Sequence, residues 1–215
     1  MSNTIETNVV KPSIKLFEND KEFLIIESND EVQLDSKIEN IENFIKNNDG
    51  KGKSDEEKDA LYSGAQEVWK DYATTLAKVK YNFYLNRKQY TFLTDLIMKK
   101  MEYDVNTVFF AIELTEFLNS MKQKSSFTND TDLISFPVDA TEITYIYHLI
   151  SKHTVKGLTN NSYYFAQVLR KIGDISKVFN YYDTSGKNLS TDIQKWVALF
   201  DENVTEEVVE GEVVN

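Results

Sequence analysis

Ser54–Asn86, SDEEKDALYSGAQEVWKDYATTLAKVKYNFYLN, is the longest stretch of the chain with a sustained helical pattern. Ser54 and Glu57 form a capping box, and Asp55, Glu56 and Glu57 put negative charge at a helix N-terminus, where the dipole favours it. Leu61, Ala65, Val68, Tyr72, Thr75 and Val79 then recur every three or four residues, with Trp69, Leu76 and Phe83 widening the stripe. The spacing predicts one long helix to about Asn86, a spine for other helices. A stripe this wide suits a bundle better than an isolated two-stranded coiled coil.

Helical periodicity continues on both sides. Upstream, Leu34, Ile38, Ile41, Phe44 and Ile45 predict a helix over Leu34–Asn47, joined to the spine by the loop Asn47–Ser54. Downstream, helices are expected at Gln89–Glu102 and at Val105–Lys122. The second is apolar over much of its circumference and reads as a buried central element. Lys124–Pro137 reads as a polar loop with an apolar patch at Leu133–Phe136. Asp139 and Glu142 form a second capping box, for a helix ending near His153. A further helix from Asn161 or Ser162 to Tyr182 is followed by an Asp183–Asn188 turn and a short helix that Ser190 caps. Before all of these, Ser13–Glu18 and Glu22–Glu27 flank Asn19-Asp20-Lys21 and predict a β-hairpin. Asp201–Asn215 has six acids, no base and no aromatic ring, and reads as a disordered acidic tail.

The chain has 215 residues, no cysteine and a formal net charge of −11. The missing thiols remove disulfides, thiolate metal sites and cysteine nucleophiles, and fit a reducing compartment. MSNTIETNVVKP at the start lacks the apolar core of a signal peptide, so a cytoplasmic protein is expected. The acidic balance repels phosphate backbones. Lys78, Lys80, Arg87 and Lys88 do interleave with Tyr81, Phe83, Tyr84 and Tyr90, as in single-strand binders. The same pattern is produced by lysines lying over an aromatic core, and that reading is preferred.

Other candidate sites fall on chemistry. Gly52-Lys53-Ser54 matches the end of a phosphate-binding loop, but Asn47 stands where its first glycine belongs, and the acids after Ser54 would repel phosphate. The loops starting at Asn47 and at Asp183 resemble calcium-binding loops, yet each puts a lysine at the fifth ligand position and lacks the bidentate glutamate. His148 and His153 are five apart and do not share a helix face. Glu113 and Glu116, three apart on an apolar helix, are the carboxylates best placed for acid–base work if buried; a solvated or partner-facing strip is preferred.

The expected protein is therefore mainly α: a multi-helix bundle with one long spine helix, a small N-terminal β-hairpin and a disordered acidic tail. Residues 1–48 would form a docking appendage, 54–200 the bundle and 201–215 the tail. No catalytic residue, metal or cofactor is assigned. The expected function is structural, assembly or adaptor, through contacts with other protein subunits in a homo- or hetero-oligomer. Abundant Asn, Lys and Ile fit an AT-rich genome, such as many phages and low-GC bacteria have, and a phage or viral particle is one expected setting. Phe23, Leu24, Ile25 and Ile26 are the candidate protein-binding residues, because a strand apolar on both faces asks for cover. The alternatives are an acidic regulator that sequesters a basic partner, and an enzyme with an unrecognised helical site.

Overall fold

In the computed structural model, which describes residues 15–18, 21–26, 28–105, 107–124, 126–154 and 157–202, helix α1 spans Ser28–Asn47 and α2 spans Asp55–Leu76. The predicted Ser54 box starts α2: the Glu57 carboxylate accepts the Ser54 N–H at 2.9 Å, and the Ser54 hydroxyl accepts the Glu57 N–H at 3.3 Å. The helix does not reach Asn86. It stops at Leu76, and Tyr81–Asn86 forms strand β3 instead.

The long helix of the fold lies elsewhere, in α6, whose 43 residues run from Asn160 to Glu202. Thr159 caps it, its hydroxyl accepting the Ser162 N–H at 3.4 Å. The expected turn at Asp183–Asn188 is helical. Two of the acidic-tail positions, Asp201 and Glu202, belong to α6, and the remainder lies outside the described residues.

The chain divides into two compact units, each discontinuous in sequence. The first holds α1 from Val32, α2, and α6 from Tyr182. Its core is Leu34, Ile41, Ala65, Tyr72, Leu189, Ile193, Trp196 and Phe200. Aromatic side chains tie the three helical segments through polar tips, as buried Tyr and Trp require. Tyr72 donates to the Tyr182 carbonyl at 2.6 Å, Trp69 to the Gly186 carbonyl at 3.1 Å, and Trp196 to the Asn48 carbonyl at 2.9 Å.

The second unit holds the hairpin and residues 77–181. Strands β1 (Lys15–Glu18) and β2 (Lys21–Leu24) pair antiparallel, with Leu16 opposite Phe23. β3 pairs antiparallel with β4 (Leu133–Val138), Phe83 opposite Phe136. On the other side of β3, Ile26 bridges Tyr81 and the Asn82 N–H donates to the Ile25 carbonyl at 2.6 Å. Burial alternates strictly along both strands, placing Tyr81, Phe83, Leu85, Ile134, Phe136 and Val138 inside.

Around the sheet stand α3 (Arg87–Asp95), a π-helical turn over Leu96–Lys100, α4 (Val108–Lys124), α5 (Ala140–Ser151) and α6 up to Tyr181. The Asp139–Glu142 capping box predicted for α5 is present. Lys171 of α6 is buried, and its ammonium donates to the Tyr84 carbonyl and to Gln89 Oε1, both at 2.9 Å.

Candidate protein-binding surface on α4 and its grooves

Helix α4 departs most from its expected role. Its sequence, VFFAIELTEFLNSMKQK, is apolar over much of its circumference, yet among its described side chains only Ala111, Leu114 and Leu118 are buried. Phe109 is 65% exposed, and Phe110 and Ile112 are each 49% exposed. Phe109, Ile112, Glu113 and Glu116 follow the three- and four-residue spacing that puts them on one face. That face is the crest of a ridge. Both carboxylates are exposed. Neither forms a hydrogen bond or an ion pair among the described residues.

A groove runs on each side of the ridge. The larger, of about 650 Å³, lies between α4 and α5, with the α6 residue Phe179 also in its lining. Phe110, Glu113, Leu114 and Phe117 line it from α4; Asp139 and the α5 residues Thr141, Glu142, Tyr145 and His148 line it opposite. Its lining is mainly apolar and aromatic, the usual character of a binding cleft. The smaller groove, of about 340 Å³, is lined by Ile97, Met98, Tyr103, Ile112 and Glu116 among others. Glu113 and Glu116 therefore border different grooves.

Polar contacts fix the walls. Phe110 packs on Tyr145 with ring centroids 4.8 Å apart. Lys80 bridges Asp139 at 3.1 Å and Glu142 at 3.5 Å. Desolvation raises the Asp139 pKa, but the Glu142 N–H and the Lys80 ammonium outweigh it and hold that carboxyl below its usual range. Burial pushes the Tyr103 phenol up to about 12, with Tyr145 adding to the shift, and its hydroxyl donates to the Ile97 carbonyl at 2.6 Å. Burial and then Asp104 also raise the Tyr145 phenol. Both phenols are thus neutral donors near pH 7. Thr144 gives its hydroxyl to the Ala140 carbonyl at 2.7 Å.

Ile25 and Ile26 are 2% and 4% exposed, part of the chain's own core, while Phe23 and Leu24 pair through their backbones with Leu16 and Lys15. Tyr81, Phe83 and Tyr90 are core rings: Tyr90 packs on Phe127 and Phe136, and Tyr81 on Phe179. Their faces are covered, and Arg87 and Lys88 pair with Asp130. His148 lines the larger groove, whereas His153 packs edge-on against Phe165 at 6.1 Å. Among the described residues no group of three or more His, Asp or Glu side chains could hold a metal ion, and no helix is long and apolar enough to cross a membrane.

Comparison of the chain with family models, with curated proteins and with solved structures finds no match. The sequence signal for the α4 surface was the helix's own composition. A helix apolar over most of its circumference needs more neighbours than one short element of a small unit receives.

Proposed function

We propose that this chain is a non-catalytic adaptor or assembly protein that holds another protein subunit through α4, within a larger complex such as a phage or viral particle. The carrying observation is the ridge on which Phe109 and Ile112 stand exposed between two mainly apolar grooves. Clustered exposed apolar surface of this kind marks interaction sites more often than isolated exposed residues do. Ile25 and Ile26 are buried in the chain's own core, and α4 is the docking surface of this proposal. The viral setting rests on composition alone.

The test compares the native mass of the chain drawn from its source with that of the purified chain, for wild type and for Phe109→Asp combined with Ile112→Asp. Both side chains are exposed, so the variant should keep its melting temperature while leaving the complex. A wild-type chain that runs as a free monomer from its source would overturn the proposal.

A further inference from the structure

We infer that the groove between α4 and α5 receives an amphipathic helix whose apolar face carries a neighbouring lysine or arginine that reaches Glu113. This rests on the reading of α4 as a docking surface and specifies the chemistry of its partner. The lining selects a helix over an extended peptide. Both walls are helices, whose backbone N–H and C=O groups are already paired, so an extended segment would enter with its own backbone unsatisfied. A helix brings those bonds with it and presents side chains at three- and four-residue spacing, the helix-in-groove mode. Phe110, Leu114 and Phe117 of α4, with Phe179, offer the apolar contact, and about 650 Å³ accommodates several side chains.

Charge selects the sign of the partner. Three carboxylates border this groove. Lys80 already pairs with both Asp139 and Glu142, but Glu113 has no ion pair among the described residues. An acidic or neutral helix would leave that carboxylate desolvated without compensation, whereas a basic one pairs it. The chain's formal charge of −11 adds long-range attraction for the same sign. It also argues against a second copy as occupant, because two such chains repel and each would bring its own Glu113.

The probe is a synthetic amphipathic peptide of about 18 residues, long enough to form a helix, with leucines at i, i+3, i+4 and i+7 and lysines flanking them. A control peptide carries glutamate at every lysine position. Binding to the full chain is followed by fluorescence anisotropy and helix formation by circular dichroism. The lysine peptide should bind as a helix at least about threefold more tightly, with the preference shrinking as salt rises. Glu113→Lys should reverse the preference. Glu67→Lys, an exposed change of the same charge on α2, should leave most of it intact.

Equal binding of the two peptides, or equal effects of Glu113→Lys and Glu67→Lys, would overturn the inference, the latter by showing that net charge alone is read. A purified chain that is a dimer, and that Phe110→Ser converts to a monomer, would overturn it in favour of a second copy. If the peptide preference fails while the Phe109 and Ile112 variant still leaves its native complex, the partner chemistry is wrong and the docking role of α4 stands. If that variant stays in the complex, the docking role itself fails.

Discussion

The Tyr145 hydroxyl donates to the backbone carbonyl of Thr107 across 2.8 Å, so a side chain of α5 holds the bend that leads into α4. The Tyr145 ring meanwhile packs on Phe110. One residue thus ties the start of the ridge and one wall of the larger groove to the same point. Tyr145→Phe keeps the ring and removes the hydrogen bond. We expect a loss of about 1 kcal/mol in urea unfolding. No loss would mean that the Thr107 carbonyl finds water as good a partner.

Two glycines in α6 predict opposite outcomes for one substitution. A Cβ at Gly173 would meet nothing within 4 Å, so Gly173→Ala should stabilise by up to about 1 kcal/mol through helix propensity. At Gly186 a Cβ would come within 2.7 Å of the Tyr72 ring, whose hydroxyl is anchored on the Tyr182 carbonyl. Gly186→Ala should therefore destabilise despite the same gain in propensity, since overpacking costs about 1–3 kcal/mol. Thermal melts of the two variants would show both signs.

Asp139 should give the second unit an acid-sensitive contact. Its carboxyl is held below the usual value of 3.8, so the stability it contributes is present above that value and is lost as pH falls through the lower folded one. The Lys80 partner is raised above 10.5 by Asp139 and Glu142 against its own desolvation, so the pair persists through neutral pH. Asp139→Asn keeps a capping side chain and removes the charge. The variant should melt below wild type at pH 7, and the gap should narrow below about pH 4. A gap constant across that range would show that the ion pair contributes nothing.

Calcium and EDTA should leave the melting temperature unchanged. The Asp183–Asn188 stretch, whose spacing resembles a calcium loop, is helical, and Lys187 pairs with Asp183 at 2.6 Å. The Asn47–Ser54 loop turns Asp49 onto the Lys51 N–H at 2.9 Å. A rise of several degrees with calcium would contradict this, because a ligand that binds only the folded state must stabilise it.

What the sequence determined by itself lies within about four residues along the chain. Ser54 with Glu57 and Asp139 with Glu142 start helices where their spacing says they should, since both partners of each cap are local. The mainly helical class and the hairpin follow from the same short-range periodicities. Tertiary structure decided the rest. Tyr81–Asn86 carries a helix-compatible stripe and also a period of two, and only pairing with Leu133–Val138, some fifty residues on, makes it a strand. Polar, glycine-containing Asp183–Asn188 reads as a turn until Tyr72 and Trp69 pack on it and hold it helical. The apolar girth of α4 is written in its residues, but which of them meet solvent depends on how many neighbours the fold supplies. Local chemistry is encoded where it acts; exposure and strand pairing are set by contacts between distant parts of the chain.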